Sequence, residues 1–427
     1  MAKVIKFNGG LRACYMRKKS SLSCAFGIFV KAGSAYETAK TNGIAHFIEH
    51  MLFKGTESRT AFMIADEMEK LGANNNAYTS KTNTVFYVNG LAKYIESFMD
   101  ILADMLFNST FTEENVAKEK GVVLEEIKMY EDESDSVCSD LLGSKYFNNG
   151  FARPILGTEK TVSSFTPDDI REFMDKYYRP ENICICYVGP LPENEFVALA
   201  EKYFVTPFAN KKYSEPFKKP RIGSRKVNSG YYENVKKPFE QSSIILRFPA
   251  FGAEDKRSDA VSTLSYMLGG GMSSRLFQEV REERGLVYDI YSMPATLKGV
   301  GYFDIAFASA PEKAETAVKV IRATLDKIRK EGFNDGEFDK VKVQRETGAV
   351  LSAESSFDEM RFMGRYFCLT DKAYTFKNLL KTLEKLTLED IKKSFDEIFD
   401  YEKCAVCYVG KPIGKDLREV FLSGENE

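Results

Sequence analysis

Histidine is nearly absent from this chain of 427 residues: there are two, His46 and His50, and they stand four apart. Long hydrophobic runs are missing as well. No stretch approaches the roughly 18 apolar residues that a membrane span requires. The N-terminal MAKVIKFNGG shows neither an apolar core nor a cleavage-site pattern, so the expectation is a soluble, cytoplasmic protein that is neither membrane-bound nor exported. An excess of one charge is also lacking. Lys and Arg number 60 against 62 Asp and Glu, a net charge of -2, which gives no general attraction to nucleic acid or to an anionic membrane surface.

Cysteine, at eight residues, is too sparse for a disulfide scaffold. Cys184 and Cys186 in NICICYVG, and Cys404 and Cys407 in KCAVCYVG, read as buried free thiols on core strands in a reducing compartment. A zinc site built from these four is the competing reading. What remains is ordinary for a globular protein, 44% apolar and 29% charged, and the length calls for two or more domains.

An internal repeat sets the boundaries. Residues 164–189, SFTPDDIREFMDKYYRPENICICYVG, align without a gap to residues 385–410, KLTLEDIKKSFDEIFDYEKCAVCYVG, at an offset of 221. In each copy a Thr caps an amphipathic helix that leads into an apolar strand ending at Gly. One unit of structure is used twice, near the end of each half. Pro-rich, basic sequence lies between the halves. The expected domains are 1–208 and 229–427, joined by a linker at 209–228, with the tail SGENE disordered. Strands are predicted at Ala25–Lys31, Thr84–Val88, Ile244–Phe248 and Tyr302–Ala308, and helices at Ala61–Leu71, at Leu91–Phe107 and from Thr112 onward. Helices fall between groups of strands, which points to an α+β fold.

The chemistry concentrates in NGIAHFIEHMLFKG, residues 42–55. On a helix, His46 and His50 are one turn apart and face the same way, so both imidazoles can reach one metal ion. Glu49 sits beside that face, close to the metal but not on it, where a general base belongs. The order HxxEH is the inverzincin arrangement. A catalytic zinc needs a third protein ligand, and the acidic helix TEENVAKEKGVVLEEIKMYED at 112–132 offers one. Glu119 and Glu126 lie two turns apart on one face. Glu126 is a candidate ligand, Glu119 a candidate to orient a ligand imidazole, and Glu125 competes for the ligand position.

These motifs resemble the pitrilysin–insulinase family of zinc peptidases, in the branch with two domains per chain that includes the catalytic subunit of the mitochondrial processing peptidase. The resemblance runs through HFIEH with Glu126 placed 76 residues beyond His50, EKGVVLEEIKMYED, GANNNAYTSKTNTVFYV at 72–88, RPILGTEKTV, YYRPENICICYVG and SSRLFQEVREERGLVYDIYS. It selects Glu126 over Glu125. It implies two homologous α/β-sandwich domains, mostly antiparallel sheet covered by helices, forming a clam-like chamber. It also implies one zinc ion per chain, held by His46, His50 and Glu126, with Glu49 as base and Glu119 in support. Asn76 and Ala77 would pair with an extended substrate, although Ala73 follows Gly72 where the family usually has a second glycine. Arg281 and Tyr288, seven residues apart, would bind the substrate backbone. Residues 267–271, MLGGG, stand where the second copy would carry its metal motif, so that copy is expected to be metal-free.

The expected activity is a zinc-dependent endopeptidase acting on short or unfolded peptides. Rival readings are a non-catalytic scaffold or processing subunit of the same fold, and a metal hydrolase of other amides or esters. The expected assembly is a homodimer, or a heterodimer with an inactive homologue.

Overall fold

In the computed structural model, which describes residues 2–223 and 226–424, six segments pair into one sheet. They are β1 (Lys3–Lys6), β2 (Arg12–Arg17), β3 (Ser23–Val30), β4 (Asn74–Thr79), β5 (Thr84–Leu91) and β6 (Ile183–Gly189), in the order β1-β2-β6-β3-β5-β4. Only β2 and β6 run parallel. Successive strand residues point to opposite faces. Ile183, Ile185 and Tyr187 enter the main core with Phe26 and Ile28. Cys184, Cys186 and Val188 join Cys14, Phe29 and Val85 on the other face, against Met360, Met363 and Phe367 of the helix Ser356–Thr370. Both faces are covered, which explains a strand that is apolar at every position. The helix comes close because residue 364 is glycine: a Cβ there would stand 2.2 Å from the Phe29 ring.

A second sheet holds β7 (Tyr232–Lys236), β8 (Ser242–Ala250), β9 (Asp289–Leu297), β10 (Val300–Ser309) and β11 (Ala405–Gly410), in the order β7-β11-β8-β10-β9. Its only parallel pair is β7–β11. The repeated strand thus has one parallel and one antiparallel neighbour in each sheet. The repeated helices, Pro167–Tyr177 and Leu388–Ile398, both start with a capping box, Thr166 with Asp169 and Thr387 with Asp390. The architecture is α+β, with two homologous units.

Each unit draws on both halves of the chain. Unit 1 takes residues up to Ile127, Arg153–Gly223 and Ala349–Leu379; unit 2 takes Lys128–Ala152, the residues from 226 to Gly348, and Leu380 onward. The helix Ser356–Thr370 covers the sheet of unit 1, and the helix Ser134–Tyr146 covers β11 and β8 of unit 2, its Cys138 thiol donating to the Cys407 carbonyl at 3.6 Å. The sequence halves therefore trade one covering segment each. Between Lys211 and residue 231 the described residues form no helix and no strand beyond one bridge, Val227 to Phe147; residues 224 and 225 of the expected linker lie outside the described residues.

The first four α-helices are α1 (Ile44–Met51), α2 (Ala61–Lys70), α3 (Ile95–Asn108) and α4 (Glu113–Glu131), of which α1 and α4 carry the site. The helix expected from Leu91 begins at Ile95 instead. Residues 89–91 continue β5, pairing with Ala25, Cys24 and Ser23, so sheet pairing overrides the helical spacing of Leu91. Of the tail SGENE, Ser423 ends the helix Leu417–Ser423 and Gly424 caps it, while residues 425–427 lie outside the described residues. Among the described residues no helix is long and apolar enough to cross a membrane.

Candidate metal centre

The metal-site helix α1 is capped at its start by Gly43, whose φ of 93° only glycine adopts readily. The N–H groups at its start, buried and without partners inside the helix, are satisfied from a distance. The Glu37 carboxyl accepts from the Gly43 and Ala45 backbone N–H groups at 2.8 and 2.9 Å, and from Asn42 Nδ2 at 2.8 Å. Burial pushes Glu37 up to about 7 against those three hydrogen bonds. The start of α1 is also pressed against Gly157, φ 82°. A Cβ on Gly157 would stand 2.5 Å from the Asn42 carbonyl oxygen and 2.8 Å from Gly43 Cα. The RPILGTEKTV segment thus supports the metal-site helix from behind.

Ile44, Ala45, Phe47, Ile48 and Met51 anchor α1 in the core, leaving His46, Glu49 and His50 along one side. The two imidazoles lie 4.6 Å apart, centre to centre. Glu126, from α4, places Oε2 at 3.7 Å from His46 Nε2 and 3.6 Å from His50 Nε2. Those separations are too long for hydrogen bonds. They are close to the roughly 3.4 Å between two donors that share a tetrahedral zinc. The three donors all lie within 4.8 Å of one another.

The electrostatics suit the same ion. Burial, with His50 beside it, pushes the His46 imidazole down to about 4, so it is neutral at pH 7, as a ligand must be. His46 Nδ1 is buried without a hydrogen-bond partner. Burial lowers His50 too, but the hydrogen bond and charge of Glu119 outweigh it and hold His50 above its ordinary value. Glu119 Oε1 lies 2.7 Å from His50 Nδ1, and Lys54 Nζ takes its other oxygen at 2.6 Å. Burial raises the Glu119 carboxyl; the bonds from His50 and Lys54 overcome that and leave it below the usual range. Burial holds Glu126 above the usual range, with Glu119 adding to the rise and His50 opposing it. Two imidazole nitrogens and one carboxylate oxygen are a fitting donor set for zinc. Glu125 is exposed on α4 and stands outside the group.

Glu49 accepts a hydrogen bond from the Thr79 hydroxyl at 2.6 Å. Burial raises its carboxyl above the usual range, with the Thr79 bond opposing. Thr79 closes β4, the edge strand that also carries Asn76 and Ala77, opposite Tyr87 and Phe86 of β5. In unit 2, Arg281 and Tyr288 are neighbours, the guanidinium 5.8 Å from the Tyr288 ring centre, and Tyr288 is 72% exposed just before β9. Unit 2 shows no second metal group among the described residues, and Met267 to Gly269 there end the helix Ser258–Gly269.

Three site residues escaped the sequence reading. Thr79 lies inside a motif read only for substrate pairing, and Lys54 follows HFIEHMLF directly. Glu37 gives no local signal, because its role is to cap a helix that starts seven residues later. A further group, Cys14, Cys184 and Cys186, has Sγ atoms 3.7 Å apart between Cys184 and Cys14 of the neighbouring strand and 3.9 Å apart between Cys184 and Cys186 along β6. All eight cysteines are free and buried, as core thiols are expected to be.

Two α+β units, one of them bringing the two histidines of an HxxEH helix together with a glutamate from a second helix, define a class, the insulinase family of peptidases, and the chain belongs to it. The family described as Insulinase (Peptidase family M16) matches residues 12–159, and the Peptidase M16 inactive domain matches residues 164–345. The uncharacterized zinc protease YmxG of Bacillus subtilis (strain 168) is 34% identical over 400 residues, 93% of this chain and 96% of that protein. An uncharacterized zinc protease of Streptomyces coelicolor is 34% identical over 386 residues, covering 90% of this chain and 84% of its own. A protease from Helicobacter pylori shares the fold with a TM-score of 0.88 at 21% identity, over 96% of this chain and 99% of that one. An M16 inactive domain protein from Pseudomonas fluorescens does so with a TM-score of 0.85 at 21% identity, over 97% and 99%.

Proposed function

We propose that this chain is a zinc-dependent endopeptidase acting on short or unfolded peptides, with His46, His50 and Glu126 holding one metal ion and Glu49 as the base. The observation that carries the reading is the convergence of those three donors beside a tethered Glu49. Membership in a peptidase family and relatives named zinc proteases support it. Zinc held there would supply Lewis acidity and positive charge.

Glu49 takes the proton of the attacking water and returns it to the leaving amine. Glu119, braced by Lys54, keeps His50 turned toward the metal. β4 is a sheet edge, so an extended peptide can add beside Asn76 and Ala77. The resemblance assigns substrate-backbone binding to Arg281 and an oxyanion contact to Tyr288; the exposure of Tyr288 agrees with such a role. One chain carries every residue the chemistry uses, which favours a homodimer over a heterodimer with an inactive homologue. Its eight free thiols suit the cytoplasm.

Mass spectrometry of a peptide mixture incubated with the zinc-loaded protein tests the reading. Cleavage at internal bonds, abolished by a chelator and restored by zinc, is the expected result. Intact peptides with zinc bound would favour the scaffold reading.

A further inference from the structure

The Thr79 hydroxyl has one proton and two acceptors in reach, Glu49 Oε2 at 2.6 Å and Thr84 Oγ1 at 3.3 Å. Thr84 spends its own proton on the Ala32 carbonyl at 3.0 Å. The carboxylate is both nearer and charged, so the Thr79 proton goes to Glu49. This is the hydrogen bond that holds the Glu49 side chain among the described residues, and it engages one oxygen while leaving Oε1 without such a partner.

Thr79 is itself fixed with little freedom. It pairs with Thr84 at the last position of β4, directly before a turn closed by Ser80 N–H to the Asn83 carbonyl at 2.8 Å. The Ser80 hydroxyl braces that turn through Asn83 Oδ1 and through the N–H groups of Thr82 and Asn83. The turn is locked to the strand-end loop as well. The Ala35 N–H donates to the Lys81 carbonyl at 2.8 Å, and a Cβ on Gly33 would stand 2.2 Å from the Ser80 carbonyl oxygen. A donor on such a frame fixes the geometry of the group it holds.

From this we infer that Thr79 is the positioning residue for the base: it pins one carboxylate oxygen of Glu49 and leaves the other to the attacking water. Thr79 is two residues from Ala77 on the same strand. The strand that would receive the peptide therefore also sets the base, so that substrate register and base placement share one rigid element. The inference rests on the reading of Glu49 as base.

The test compares the parent, Thr79→Val, Thr79→Ser and Glu49→Gln, each loaded with zinc, by steady-state cleavage of a quenched-fluorescence peptide and by crystal structures. Valine keeps the shape and removes the donor; serine keeps the donor. With Thr79→Val, kcat falls about 10- to 100-fold at unchanged KM and zinc content, a part of what a positioned base contributes. Thr79→Ser restores most of it. A Thr79→Val protein at the parent kcat, with Glu49→Gln inactive, overturns the inference and leaves the peptidase standing. A parent that cleaves nothing overturns the peptidase reading instead, and the structures then decide about Thr79. Glu49 in one conformer against Thr79 in the parent, and spread over several in Thr79→Val, upholds the tether; the same single conformer in both removes it.

Discussion

His50 Nδ1 and Glu119 Oε1 lie 2.7 Å apart, and the second oxygen of that carboxylate rests 2.6 Å from Lys54 Nζ. The arrangement ties the ring orientation of one metal-site histidine to an acid on another helix, and that acid to a lysine four residues beyond the histidine. Glu119→Gln keeps the shape but cannot accept from both partners at once. Zinc affinity, measured by competition with a chromogenic chelator, is expected to fall about 10- to 100-fold. Unaltered affinity would show that Glu119 does not orient His50.

Gly157 and Gly43 face each other at the start of α1, both with positive φ. Gly157→Ala adds backbone strain and a collision with the Asn42 carbonyl oxygen. A loss of about 2–4 kcal/mol is expected, together with weaker zinc retention. Gly9→Ala is the control, because Gly9 also has a positive φ, 76°, but nothing lies within 4 Å of its added Cβ. It should lose only the strain, about 1–2 kcal/mol. Thermal unfolding of the metal-free proteins separates the two.

Much of this was legible beforehand because it depends on local spacing. HxxEH places two imidazoles on one helix face whatever surrounds it, and a Thr with Asp three residues on starts a helix in both copies of the repeat. The support of the site was not legible in the same way. Glu37 reaches α1 across a loop, and Gly157 meets Gly43 from more than a hundred residues away; neither contact leaves a periodic mark. Leu91 misled because its spacing fits a helix while its backbone pairs with Ser23. The exchange of covering helices was hidden for a related reason. An apolar strand such as ICICYVG announces that both its faces are covered, but not which part of the chain supplies the cover.

Glu37 makes stability depend on pH with a definite sign. Burial pushes its carboxyl from 4.5 up to about 7 in the fold. Between those values the folded chain holds a proton that the unfolded chain has released. The contribution is therefore complete below about pH 4.5 and lost as the pH rises through 7, by about 3 kcal/mol in all. Glu37→Gln does not titrate. The stability difference between parent and variant, from denaturant unfolding of metal-free protein, should move in the variant's favour from pH 5 to pH 8. A constant difference would mean that Glu37 keeps its ordinary value in the fold.

All eight thiols are free and buried. A water-soluble disulfide reagent should therefore find almost none in the native protein and eight after denaturation. Prompt modification of Cys14, Cys184 or Cys186 would show that the helix Ser356–Thr370 does not close over that face of the sheet.

The central claim is tested most directly by Glu49→Gln, prepared alongside the parent and measured for zinc content and peptide cleavage. The account predicts one zinc per chain in both proteins, cleavage by the parent, and cleavage reduced at least about 100-fold in the variant. A variant that cleaves at the parent rate with its zinc in place would contradict it.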